Sequence, residues 1–334
     1  MSPALILSCV IAYSALLFYV VWKSSRNADN ESYFIGNKSS KWYLVAYGMI
    51  GASLSGVTFM SVPGLVGTTS FSYMVLVFGY FFGYAIIALV LLPLYYKMNL
   101  TSIYTYLERR FGFWSYKTGA FFFIVSRTIG AAFRLYIVVN VLQLFIFDAW
   151  GVPFWVTVLA FILLILLYTY EGGVKTIVLT DTLQTTFMLL AIVISVFYIS
   201  NELDMGIFDL FSAIHAKGYD KMFNMDWHSK SYFLKQFFGG MFIAVAMTGL
   251  DQEMMQKNIS VRTLGDSQKN IFSFSFVLVF INLLFLCLGA LLFLYSTAKG
   301  IPLPEKSDDL FPIIALNHLG GLVGIVFIIG LISA

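Results

Sequence analysis

GMIGASLSGVTFMSVPGLVGTTS, residues 48–70, lies inside a longer apolar stretch yet is a poor continuous helix. Gly48, Gly51, Gly56, Gly64 and Gly67 each weaken a helix by about 1 kcal/mol relative to alanine, and Pro63 by about 3 kcal/mol. Ser53, Ser55, Thr58 and Ser61 are interleaved with them. A span facing only lipid has no use for this pattern. It suits a helix discontinuous between about Ser53 and Thr58, where freed backbone carbonyls can coordinate a cation near the midplane. Close helix packing through small residues is the alternative reading of the same stretch.

The rest of the chain is built for a bilayer. Of 334 residues 60% are hydrophobic and 11% charged, with mean hydropathy +0.86; a soluble domain carries about 25% charge. The fold class expected is therefore all-α, a polytopic membrane protein in contact with lipid. The net charge of +3 is too small to suggest a nucleic-acid partner. Cys9 and Cys287 lie in apolar runs, which argues against a disulfide framework, and His215, His228 and His318 are scattered.

About 20 apolar residues cross a bilayer. On that measure helices are expected near 4–22, 42–70, 72–96, 115–147, 153–170, 174–200, 232–256 and 269–298, with a ninth from about 311. The positive charges of the first segment, Lys23 and Arg26, follow its apolar run, so it reads as a retained helix rather than a cleaved signal. Twelve Lys and Arg residues fall in the connections after helices one, three, five and seven, Lys38, Lys175 and Lys257 among them. The opposite connections hold six. The positive-inside rule then puts the N-terminus outside, in a multi-pass protein of the inner or plasma membrane.

Two further features carry chemistry. In YTYEGGVKTIVLTDTLQ, residues 168–184, Glu171-Gly172-Gly173 is a turn signal ending one helix, and the next carries Lys175, Thr180, Asp181, Thr182 and Gln184. A carboxylate within a span costs roughly 2.5–3.5 kcal/mol on insertion scales, so Asp181 is expected to face a cavity, a partner or an ion. Pairing with Lys175 is the structural alternative. Arg134, in GAAFRLYIVVNVLQ, is a fixed positive charge deep in the fourth helix. It suits a bidentate carboxylate or an internal clamp. Arg127, two turns earlier, is expected to snorkel or pair structurally. The 201–231 connection reads as long and polar, with a short amphipathic helix lying on the protein.

Four ordered motifs extend these observations: Ser-Gly-Val-Thr-Phe-Met-Ser-Val-Pro-Gly at 55–64, Ile-Tyr-Thr-Tyr-Leu-Glu-Arg-Arg-Phe-Gly at 103–112, Glu-Gly-Gly-Val-Lys at 171–175 with Thr-Asp-Thr-Leu-Gln at 180–184, and Leu-Asp-Gln-Glu-Met-Met-Gln-Lys at 250–257. With them the chain resembles the sodium:solute symporter family, which includes sodium/glucose, sodium/proline and sodium/sialic acid transporters. The resemblance implies a LeuT-type fold of two five-helix inverted repeats and a sodium-coupled symporter that imports a small organic solute by alternating access. On that pattern 1–334 is one transporter domain, with an extra N-terminal helix at 1–30, a first repeat at 40–200 and an incomplete second repeat at 232–334. The chain then stops partway along its ninth helix, whose hydroxyls complete the family's sodium site, so that 334 residues taken literally are not expected to make a working carrier.

The resemblance also implies roles. The carbonyls of Gly51 and Leu54 would hold the co-transported sodium ion, and Asp181 would balance its charge or ligate a second. Ser53, Ser55, Thr58 and Arg134 look like the carboxylate-binding pocket of sodium/sialic acid symporters, with sialic acid as the candidate solute. Asp251 and Gln252 would be gate or cap contacts at the end of the seventh helix. Met247 and Thr248 stand where the sugar branch has an aromatic gate and an acidic ligand, and helix three holds no acidic residue; both count against glucose. No enzymatic nucleophile–base pair is evident. A membrane sensor with a symporter-like domain is the competing class.

Overall fold

The structure, a computed structural model, describes residues 1–25, 41–100, 102–169, 174–319 and 321–333, without the side chains of 24–25, 168–169, 174–178 and 207. Arg26, Lys38, the turn at 171–173 and the side chain of Lys175 lie outside the described residues. Within them the architecture is helical, and helix α1 (Pro3–Ser25) opens it. It buries Ile6, Val10, Tyr13, Leu17 and Val21, a stripe at helical spacing, and leaves Leu5, Ile11, Leu16, Tyr19 and Trp22 exposed. An apolar residue on the outer face of such a helix belongs to lipid rather than to a core.

The glycine-rich stretch is broken as its composition predicts. Helix α2 (Trp42–Ser53) ends where Leu54 turns to extended backbone (φ −87°, ψ 115°), Ser55 continues extended, and α3 starts at Gly56 and runs to Thr69. Ser70, a non-glycine residue with φ 51°, ends α3 before α4 (Tyr73–Ile86), which Ile87–Leu91 and Leu92–Lys97 prolong. Short α5 (Thr105–Phe111) leads to long α6 (Phe113–Leu142), then α7 (Phe154–Thr169) and α8 (Val174–Glu202). The polar connection does carry a short helix, α9 (Ile207–Ala216), seated through buried Leu210 and Ile214.

The seventh span corrects an expectation. Instead of one helix over 232–256, α10 (Phe233–Ala244) passes through a π-helical turn at Val245–Gly249 and bends by 68° into α11 (Gln252–Ile259). No proline stands at the bend. It is fixed by polar contacts from outside: the Tyr95 hydroxyl donates to the Gly249 carbonyl (2.8 Å), and the Tyr104 hydroxyl to that of Leu250 (3.2 Å). The chain continues into α12 (Leu264–Lys299), α13 (Leu310–Ile313) and α14 (Gly321–Ser333). Among the described residues, five segments are long and apolar enough to cross a membrane, or six with the bent pair.

Helix α12 is the centre of the packing, nearly all buried from Phe285 to Ser296 and in contact with α2, α3, α4 and α8. Glycines set the closest approaches. A Cβ on Gly79, Gly83 or Gly240 would lie 2.0–2.4 Å from the carbonyl oxygens of Phe237, Met241 and Leu76 respectively, so α4 and α10 meet backbone to backbone. In lipid, where apolar surface gains little by leaving the solvent, such close van der Waals contact is what holds helices together.

Candidate functional site

The break between α2 and α3 opens onto two adjoining cavities. The larger, about 350 Å³, is lined by Ser53, Ser55 and Thr58 from the break, Arg134 from α6, and Met247 and Thr248 from the π-helical turn. All six were singled out from the sequence. Tyr73, Tyr80, Tyr84 and Asn282 complete its polar wall and were not. The three tyrosines lie seven and four residues apart, one face of α4, so their spacing was a readable sign of a phenolic wall. Among the described residues the buried Ser53 hydroxyl makes no hydrogen bond of standard geometry, although it lies beside the Tyr84 hydroxyl, and a ligand could satisfy it. Arg134 is half-buried and, among the described residues, makes no hydrogen bond or ion pair.

The second cavity, about 270 Å³, is lined by Gly51, Leu54, Arg134, Asp181, Glu253, Lys257 and Ser333, among others. It brings together residues that sequence reading linked only through resemblance. The backbone explains why carbonyls are free here. Leu54 N–H closes the last bond of α2 on the Ile50 carbonyl, and the next such bond runs from Phe59 to Ser55, so the carbonyls of Gly51 to Leu54 receive no backbone N–H. Oxygen without net charge is suitable ligation for a hard cation. Ser333, near the end of α14, adds a hydroxyl to the same wall while donating to Tyr13 (2.7 Å).

Gly51 is where α8 comes closest. A Cβ there would stand 2.1 Å from Thr185 Oγ1 and 3.3 Å from the Asp181 carbonyl oxygen. Gly51→Ala should therefore push α8 off the break, at a cost of roughly 1–3 kcal/mol of overpacking. We expect a lower thermal midpoint in detergent, partly restored by adding Thr185→Ala. An unshifted midpoint would show that the approach is loose.

Asp181 has a partner on another helix, while the alternative partner, Lys175, has its side chain outside the described residues. Lys257 Nζ lies 2.6 Å from Asp181 Oδ2, with Glu253 Oε1 at 3.7 Å. The reading of Lys257 as a positive charge in a connection is corrected. The side chain is nearly buried because α11, bent back after α10, carries it to α8. Nothing in the local sequence announces a pair 76 residues apart.

Asp251 and Gln252 sit at the bend itself. Asp251 caps α11 by accepting from Met254 N–H (2.9 Å), and its carboxylate is gripped by the Arg127 guanidinium through both oxygens, the Nε contact at 2.6 Å. Arg127 thus pairs structurally, as its position suggested. Gln252 Oε1 accepts from Ile103 N–H (2.9 Å) and ties the bend to the segment before α5.

Comparison with known proteins supports this architecture. The sodium:solute symporter family profile matches residues 33–334. The sodium/sialic acid symporter NanT of Aliivibrio fischeri is 24% identical over 322 residues, 93% of this chain and 62% of its own length. The sodium/sialic acid symporter SiaT of Proteus mirabilis is 24% identical over 323 residues, 94% and 63% respectively. The sodium-coupled monocarboxylate transporter 1 of Mus musculus is 27% identical over 253 residues, 75% and 40%. The chain thus spans less than two thirds of the length of these relatives. A solved structure of a Na+-coupled sialic acid symporter in a substrate-bound outward-open state superposes with a TM-score of 0.87 at 22% identity, covering 98% of this chain and 70% of that one. At that identity the likeness speaks for the fold, which is the LeuT-type fold expected. Multi-pass, all-helical and matched by the family profile over nearly its whole length, the chain belongs to the sodium:solute symporter family.

Proposed function

We propose that this chain is the main part of a sodium-coupled symporter that imports a small carboxylated organic solute, sialic acid being the candidate. One observation carries the reading. A helix broken at Leu54–Ser55 frees carbonyls beside one cavity, while the adjoining cavity presents Arg134, a guanidinium that meets no anion among the described residues. An isolated guanidinium in a span is costly, and an incoming carboxylate supplies what the protein does not.

In this reading sodium sits on the carbonyls of Gly51 and Leu54, with the Asp181 carboxylate balancing charge nearby. The solute carboxylate meets Arg134, and its remaining polar groups meet Ser53, Ser55 and Thr58. Sodium favours the conformation in which the break is ordered, which raises affinity for the solute, and the solute in turn raises affinity for sodium by the same factor. Met247 and Thr248 close one side of the cavity. Asp251 and Gln252 hold the bend that must move for release. We assign 1–30 to an additional helix, 40–200 to the first repeat and 232–334 to part of the second. We assign the N-terminus to the outside, a reading supported by the arginine and lysine distribution.

The test is uptake into proteoliposomes by the full-length protein, driven by a sodium gradient and compared with choline. Uptake that ignores sodium removes the reading. Asp181→Asn takes one negative charge from beside the cation path and leaves Lys257 without its partner. It should weaken the apparent affinity for sodium by about tenfold or more, the equivalent of 1.4 kcal/mol, and leave solute half-saturation at saturating sodium much less affected. An unchanged sodium dependence would show that Asp181 only holds Lys257.

A further inference from the structure

Five charged side chains line the two cavities, and a sixth, Asp251, pairs with one of them, Arg127. Arg127, Arg134 and Lys257 stand against Asp181, Asp251 and Glu253. Among the described residues, three cations balance three anions before any ion or solute arrives. Arg127 is held by Asp251. Glu253 lies 3.6 Å from Arg127 and 3.7 Å from Lys257, and so serves both. The pair of Lys257 and Asp181 is closer than either Glu253 contact, 2.6 Å apart with side chains 6% and 16% exposed, and it borders the same cavity as the free carbonyls of Gly51 and Leu54.

We infer that Lys257 is a tethered cation. Its ammonium fills the place on the Asp181 carboxylate that a second sodium ion would otherwise take, so the protein binds one sodium rather than two. This rests on the sodium reading of the Gly51–Leu54 carbonyls given above. An ammonium attached to the chain competes as an intramolecular ligand, at an effective concentration that a free ion must overcome. A second sodium added to a cluster already neutral would also leave an uncompensated charge in a poorly solvated place. One sodium on the carbonyls and one carboxylate on Arg134, by contrast, arrive as a neutral load. Removing the Lys257 charge leaves the cluster one negative charge in excess and frees a carboxylate oxygen. That is the deficit one more monovalent cation fills.

The experiment is equilibrium binding of radioactive sodium to the purified full-length protein, with choline as the replacement ion and no organic solute. The wild type should bind one saturable sodium per protein and Lys257→Met two. Lys257→Arg, which keeps the charge, should stay at one, and Lys257→Met combined with Asp181→Asn should return to one. A wild-type count of two overturns the inference, as does a Lys257→Met count of one. In the latter case the wild type still binds its one ion, so the sodium reading survives and only the role of Lys257 falls. If neither protein binds sodium, the sodium reading itself is wrong and the inference goes with it. Should Lys257→Met fail to fold, Lys257→Gln carries the same expectation, and the wild-type count remains decisive on its own.

Discussion

Arg134→Lys should raise the concentration of sialate needed for half-maximal sodium-driven uptake by roughly 10- to 100-fold, although the charge is kept. A guanidinium offers two parallel N–H bonds to a carboxylate in one plane, whereas an ammonium offers a compact point charge. Losing one charge-assisted hydrogen bond of about 1.5–3 kcal/mol accounts for that range. Arg134→Ala should cost more, because the solute carboxylate would then be buried without a cation. The cavity geometry makes the comparison clean. Arg134 has no partner among the described residues, so its replacement breaks no ion pair among them. Competition among sialate, its methyl ester, proline and glucose supplies the control. If the ester competes as well as the free acid, Arg134 does not bind a carboxylate, and the proposed solute class is wrong.

The second large effect is expected at the bend between α10 and α11. Arg127→Met leaves the Asp251 carboxylate, 9% exposed, without its cation. Breaking a buried pair from one side costs about 3–5 kcal/mol, and the lower end applies because Arg127 is a quarter exposed. Asp251→Asn separates two roles of one residue, since asparagine caps a helix as well as aspartate does but offers a guanidinium neither a charge nor a second acceptor oxygen. If the pair holds the bend, Arg127→Met with Asp251→Asn should be scarcely less stable than Arg127→Met alone. Thermal or denaturant unfolding of the four proteins gives the coupling directly. Strictly additive losses would mean that the tyrosine contacts on Gly249 and Leu250 fix the bend without Arg127. Transport should fall with the single replacement as well, because the bend places Met247, Thr248 and Glu253 around the cavity.

Particular residues show which parts of this protein were legible in one dimension. The broken helix was, because glycines, a proline and hydroxyls at 48–70 weaken helical bonding locally, and the break at Leu54–Ser55 falls inside the predicted window. Arg134 was legible for a similar reason: a fixed charge deep in an apolar helix stands out wherever the helix goes. The bend at 250–251 was not. Gly249 and the capping Asp251 signal a boundary there, but not a 68° turn, which is held by Tyr95, Tyr104 and Arg127 from elsewhere in the chain. Lys257 looked like an ordinary positive charge near a membrane surface. Only the bend carries it to Asp181 and turns two separate charges into one neutral pair. Composition and local helix energetics therefore determined the membrane class and the place where the backbone opens. Which charges meet across the cavities was decided by tertiary structure, because ion pairing depends on distances of a few ångströms between helices far apart in sequence, and no local pattern encodes them.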